Sequence, residues 1–129
     1  VSELVLDASA VLALLNGEAD SAAVAEVLER DACLMSCVNV AEVAARLADR
    51  GVPEAVVAEI MHSLNLSAVE FGFGAACRCG ALRLATRSLD LSLGDRACLS
   101  LAPERGCPVL TADRAWAGLD LGMDTRVIR

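Results

Sequence analysis

The apolar positions of this chain follow two rhythms: short continuous runs, and longer stretches in which apolar residues recur every three or four positions. Continuous runs predict buried strands, and the wider spacing predicts amphipathic helices. Residues 3–6 read as a strand, followed from Ser9 onward by an alanine- and leucine-rich helix. Residues 19–30 predict a helix with Ala23, Val24, Val27 and Leu28 on one face, and residues 33–38 a second strand. A helix over 39–50 carries Val40, Val43, Ala44 and Leu47 as its stripe and is closed by Gly51. Pro53 starts another helix to about residue 64, since proline suits a first turn. Residues 66–71 predict a third strand and 75–86 a helix. Leu93-Gly94-Asp95 opens a further helix that Pro103 is expected to shorten. Residues 108–110 form a fourth strand ending at Thr111-Ala112-Asp113, then a short helix, then a fifth, edge strand at 125–128. Strands alternating with helices predict a parallel sheet covered on both faces. A chain of 129 residues suffices for one domain, 1–129, and is too short for two.

Composition sharpens this reading in three places. Hydrophobic residues make up 56% of the chain, and the mean hydropathy is +0.53. The apolar run at 8–15 is too short to span a bilayer and has no basic segment before it, so neither a membrane span nor a signal peptide is expected. Such a greasy chain either has a plain alanine–leucine core or hides an apolar surface against a partner. The net charge is −7, and all 11 basic residues are arginine. That balance opposes tight, non-specific nucleic-acid binding. It leaves room for an enzyme that gathers its acids in one site with arginines at the rim. The six cysteines, Cys33, Cys37, Cys77, Cys79, Cys98 and Cys107, form no CxxC, and His62 stands alone, so a zinc site is not expected. Cys33 and Cys37 fall on one face of the predicted second strand. Free buried thiols in a reducing cytoplasm are the expectation.

The candidate chemistry lies in four acids. Asp7 ends the first strand, where ligands bind in open α/β sheets. Glu42 lies in the first turn of its helix, Asp95 starts a helix behind Gly94, and Asp113 follows the fourth strand. Each has a capping explanation taken singly: Asp7 and Asp113 as N-caps, Asn39-x-x-Glu42 as a near capping box, Asp95 as a dipole partner. Together, Asp7, Glu42 and Asp113 follow three strands along one expected sheet edge. Carboxylates converging without a basic partner repel one another unless a cation is present. Oxygen ligands without His or Cys suit Mg²⁺ or Mn²⁺. Residue by residue, this reaches metal-dependent phosphodiester or phosphate hydrolysis.

Four ordered segments carry a resemblance: Leu6-Asp7-Ala8-Ser9, Asn39-Val40-Ala41-Glu42, Leu91-Ser92-Leu93-Gly94-Asp95-Arg96-Ala97-Cys98-Leu99, and Val109-Leu110-Thr111-Ala112-Asp113-Arg114-Ala115-Trp116. In that order the chain resembles PIN-domain ribonucleases, and among them the VapC toxins of bacterial toxin–antitoxin pairs. The resemblance implies a three-layer α/β/α fold with a parallel sheet of about five strands. It implies Asp7, Glu42, Asp95 and Asp113 as the catalytic, metal-binding quartet. Ser9 and Thr111 are then polar supports, and Asn39 braces Glu42. It further implies Mg²⁺- or Mn²⁺-dependent RNA cleavage, a VapB-like antitoxin as partner, and a homodimer. With Phe71, Phe73 and Trp116 as the aromatic residues, base stacking is not the main way RNA is held.

Rival readings are weaker. Gly72-Phe73-Gly74-Ala75-Ala76-Cys77, with Asp90 beyond it, is a partial dinucleotide fingerprint whose third glycine is replaced by Cys77. Phosphoryl-transfer domains that begin with an acid after the first strand use a lysine, and this chain has none. The alternatives retained are a catalytically silent PIN-like binding module and another Mg²⁺-dependent phosphohydrolase. The alanine-, valine- and leucine-dense helices at 19–30, 39–50 and 53–64 are the expected groove for an antitoxin helix. A basic side chain from its tail would neutralise the acids.

Overall fold

A computed structural model describes residues 3–128. Its elements are β1 (Glu3–Leu6), α1 (Ala8–Leu15), α2 (Ser21–Arg30), β2 (Ala32–Ser36), α3 (Cys37–Asp49), α4 (Glu54–Ser63), β3 (Leu66–Val69), α5 (Phe73–Thr86), α6 (Leu93–Arg105), β4 (Val109–Thr111) and β5 (Thr125–Val127). Single 3₁₀ turns lie at Arg87–Leu89 and Arg114–Trp116. The five strands form one parallel sheet in the order β3-β2-β1-β4-β5. Among the described residues no helix is long and apolar enough to cross a membrane.

β1 is central, so both of its faces are covered and its run is continuously apolar rather than alternating. Leu4 and Leu6 join Val11, Val24, Met35, Val43 and Leu47 beneath α1 to α4. Val5 points the other way, into a second core with Leu34, Cys98, Leu99, Val109 and Trp116. The sheet therefore separates two apolar layers, giving the three-layer α/β/α arrangement. The chain runs outward from β1 to β2 and β3, then returns to place β4 on the other side of β1. The carboxyl ends of β1 and β4 flank this reversal, the place where open α/β sheets form a crevice.

Three local expectations are corrected. The second strand stops at Ser36, and Cys37 and Val38 belong to α3. The Ser36 hydroxyl accepts from the Val38 N–H at 3.2 Å, which starts the helix two residues before Asn39. Cys33 and Cys37 consequently do not share a strand face. Pro103 does not shorten α6, which continues to Arg105 and ends at Gly106 with φ +65°. A proline in the last turn lacks only the one N–H that the Leu99 carbonyl would accept, while Gly106 N–H still closes onto the Ala102 and Pro103 carbonyls. All six cysteines are free, but Cys77 is exposed and Cys37 half-buried, against the expectation that they all lie in the core.

Candidate active site

Asp7 follows β1 and caps α1, accepting the Ala10 N–H at 2.9 Å on Oδ1. The Thr111 hydroxyl at the end of β4 donates to Asp7 Oδ2 at 2.6 Å. The Ser9 hydroxyl donates to the same carboxylate, 2.7 Å from Oδ1, and accepts the Ala112 N–H at 2.9 Å. Thr111 Oγ1 in turn accepts the Asp113 N–H at 3.0 Å. These bonds tie the end of β1 to the loop after β4 and hold Asp7 in one orientation. Asp7 is only 5% exposed. Burial pushes its carboxyl above the ordinary aspartate range; the bonds from Thr111, Ala10 and Ser9 pull it back, and the Asp95 charge raises it further.

Glu42 reaches the cleft from α3. Its Oε1 accepts from Asn39 Nδ2 at 2.8 Å, and the same amide donates to the Gly94 carbonyl at 3.0 Å. Asn39 is 1% exposed, and its Oδ1 is buried without a hydrogen-bond partner. Because Ser36 is the cap, Asn39 and Glu42 are not a capping box. Their spacing of three instead places two side chains on one helix face, where they bond to each other. Gly94 is what lets α6 pass: a Cβ there would fall 2.5 Å from Glu42 Cδ.

Asp95 is the third residue of α6 and forms a capping box with Ser92: Asp95 Oδ2 accepts the Ser92 N–H at 3.0 Å, and Ser92 Oγ accepts the Asp95 N–H at 3.1 Å. Asp113 caps the 3₁₀ turn, accepting the Ala115 N–H at 2.9 Å. The capping explanations of Asp7, Asp95 and Asp113 are therefore correct locally, and they do not compete with a shared site. Capping fixes each carboxylate at the start of a helical turn, and those starts face one another.

Asp7, Glu42, Asp95 and Asp113 all line one cleft of about 200 Å³, together with Ser9 and Asn39. Thr111 lies beneath it, fully buried. Arg46 also lines the cleft and is the residue that the reading of the acids misses. Its signal is its position four residues beyond Glu42, on the same face of α3.

Among the described residues, no three His, Cys, Asp or Glu side chains draw close enough to enclose a metal ion by themselves. The cleft offers an all-oxygen donor set without a closed cage. That chemistry fits a hard divalent ion such as Mg²⁺, which keeps several of its waters and takes few protein ligands. Cys98, fully buried nearby, is not a candidate ligand. Desolvation first, and then the charges of Asp7, Asp95 and Glu42, hold its thiol far above the range in which it ionises.

The model of the PIN domain family matches residues 4–120 of this chain. Among curated proteins there is no match. Among solved structures, a DNA-bound VapBC complex from Salmonella typhimurium contains a chain 17% identical, with all of both chains covered and a TM-score of 0.75. A toxin–antitoxin complex from Klebsiella pneumoniae matches at 18% identity over 98% of each chain, with a TM-score of 0.74. The sarcin–ricin loop cleaving toxin VapC20 of Mycobacterium tuberculosis matches at 14% identity over 94% of this chain and 98% of its own, with a TM-score of 0.72. At such identities these likenesses establish the fold, whereas the family model spans both strand ends and all four cleft acids. The chain belongs to the PIN-domain family.

Proposed function

We propose that this chain is a Mg²⁺- or Mn²⁺-dependent endoribonuclease, the VapC-type toxin of a toxin–antitoxin pair. The observation that carries this reading is the single cleft shared by Asp7, Glu42, Asp95 and Asp113. The similar structures support it, since they include toxin–antitoxin complexes and a toxin that cleaves the sarcin–ricin loop.

The cleft carboxylates Asp7, Glu42, Asp95 and Asp113 would share the hold on the ion, in part through waters that it retains. Burial and the Asp95 charge oppose ionisation of Asp7, so a cation in the cleft would favour its charged form. When bound, the ion supplies positive charge that eases proton loss from water and stabilises the departing oxygen. Thr111 and Ser9 keep the Asp7 carboxylate facing one way, and Asn39 does the same for Glu42. Asp95 and Asp113 each commit one oxygen to a backbone N–H and keep the other for a ligand. Fixed donors of this kind need no reorganisation during an in-line displacement.

An antitoxin completes the reading. Of the three helices expected to form the groove, α3 and α4 line an apolar hollow of about 510 Å³ with β2 and β3, through Met35, Val40, Val57, Met61 and Leu66 among others, and α2 does not line it. The hollow supports docking of an amphipathic helix, whose basic tail would neutralise the acids in trans. A homodimer is part of the same proposal.

The deciding experiment is cleavage of total cellular RNA by the purified chain with Mn²⁺, beside Asp7→Asn. Loss of cleavage in the variant, together with loss of Mn²⁺ binding by calorimetry, is the expected result. Wild-type cleavage by Asp7→Asn overturns the assignment. A wild-type chain that binds no Mn²⁺ and cleaves nothing favours the silent binding module instead. Co-expression with the neighbouring reading frame tests the partner; a monodisperse chain that is harmless to its host and captures no small protein overturns that part.

A further inference from the structure

Arg46 lines the acidic cleft, and Arg114 lines a depression that adjoins it. Arg46 belongs to α3, one turn beyond Glu42. Arg114 immediately follows Asp113 and lines a shallow depression that shares Ser9 and Asp113 with the cleft. β1 lies between β2, which leads into α3, and β4, which leads to Arg114. The carboxyl end of β1, which leads to Asp7, is thus flanked by the strand leading into α3 on one side and by the strand leading to Arg114 on the other, two spacings or about 10 Å apart.

Both side chains are exposed, and among the described residues neither takes part in an ion pair. That is unusual company for a guanidinium, because four carboxylates line the cleft that Arg46 shares, and Arg114 directly follows one of them, Asp113. A cation placed there to neutralise the acids would sit on one of them, as Arg30 sits on Glu26 and Asp31. Neither of these two is committed to an acid among the described residues. A free guanidinium presents a planar fork that matches a phosphate with two parallel hydrogen bonds. A chain of net charge −7 cannot attract RNA by its overall field, so any attraction must be local.

We propose that Arg46 and Arg114 form an RNA track across the cleft, each holding a phosphate on one side of the scissile bond. The proposal rests on the ribonuclease reading and adds the path of the substrate: single-stranded RNA crosses from the α3 wall to the Arg114–Trp116 turn, over Asp7. With few aromatic residues near the cleft, backbone phosphate contacts carry the hold.

The test is fluorescence anisotropy with a labelled mixed-sequence single-stranded RNA 12-mer. Ca²⁺ replaces Mg²⁺, and the intact probe is verified on a gel. Phosphate contacts are sequence-independent, so the natural target is not needed. Each lost phosphate contact on a single strand flattens the slope of log affinity against log salt by about 0.7. Arg46→Gln and Arg114→Gln are expected to flatten it by that amount each and to weaken binding roughly tenfold. Arg46→Lys should keep the slope and lose part of the affinity, because charge remains and the fork does not. Arg83→Gln, on exposed α5 away from the cleft, should change neither. Unchanged melting temperatures show that all variants fold. An unchanged slope in either Gln variant, or equal flattening by Arg83→Gln, overturns the track. In parallel, RNA cleavage by wild type and Asp7→Asn judges the ribonuclease reading separately. If cleavage depends on Asp7 while the slopes do not move, only the track falls.

Discussion

Gly94 gives Glu42 its place: the carboxylate occupies the space a Cβ at position 94 would fill, with that Cβ only 2.6 Å from Glu42 Oε2. The obstructing group would be the far end of a flexible side chain, so Gly94→Ala can be absorbed by swinging Glu42 away from Asn39. The lost hydrogen bond costs about 1 kcal/mol, and alanine in place of glycine in a helix returns a similar amount. Stability should therefore change by less than about 1 kcal/mol. RNA cleavage should fall roughly a hundredfold through misplacement of one acid. Chemical denaturation and single-turnover cleavage check the two halves. In Gly94→Ala/Glu42→Ala the glycine change should add nothing to the loss caused by Glu42→Ala alone.

Asp7 makes stability depend on pH in a direction opposite to a salt-bridged acid. Its folded carboxyl lies above the ordinary aspartate value of 3.8, chiefly through burial. Between those two values the folded state holds a proton that the unfolded state has released. The folded state thus binds more protons, and stability falls as pH rises through the window. Asp7→Asn removes the titration and should make the metal-free protein more stable than wild type at neutral pH. The gain should disappear as pH falls toward 3.8. Urea melts of both proteins across that range measure it. Added Mn²⁺ should stabilise wild type and leave Asp7→Asn unchanged, by ordinary linkage.

Pro103 supplies a test of stability that does not touch the cleft. It is exposed in the last turn of α6 and has no N–H for the Leu99 carbonyl. Pro103→Ala restores that donor, partly offset by the greater freedom of the unfolded chain. A net gain of about 1 kcal/mol is expected, raising the melting temperature by about 4 °C. Calorimetry should show this rise with cleavage unaltered.

The parts of this fold legible in the sequence are those where burial dictates residue type. β1 and β4 read as strands because central parallel strands must be apolar on both faces, and the acids stand out where those runs stop. The start of α3 is not legible in the same way. Cys37 and Val38 extend an apolar run, and the conspicuous Asn39 looks a better cap than Ser36, which the structure uses. The bond from Asn39 to Glu42 is local, but its second bond, to the Gly94 carbonyl 55 positions away, is one that no local pattern carries. The proximity of Glu42 to Gly94 is likewise tertiary, since local pattern carries no information about which helix passes another. Arginines at the rim of an acidic site agree with the composition, but which of the 11 stands there is tertiary, and Arg46 is marked only by its i, i+4 spacing from Glu42.

Thr111 offers the sharpest test of how Asp7 is held. Its hydroxyl, fully buried, donates to Asp7 Oδ2 at 2.6 Å and accepts the Asp113 N–H at 3.0 Å. After burial, this bond is the largest influence on the Asp7 carboxyl, and it acts to lower its pKa. Thr111→Val keeps the shape and removes the donor, so Asp7 should hold its proton to still higher pH. A proton and a divalent ion compete for the same carboxylate. The acid limb of the cleavage profile should therefore shift to higher pH, with the plateau rate less affected than the midpoint. Loss of the acceptor for Asp113 N–H, which lies on an exposed residue, should also lower stability by about 1 kcal/mol. That deficit should shrink as pH falls and Asp7 becomes protonated, because the missing bond favours the charged form. Ser9→Ala should move the profile in the same direction by less, as the bond from Ser9 has the smaller influence of the two. A Thr111→Val enzyme with an unmoved acid limb would mean that Asp7 is not the group whose proton competes with the metal.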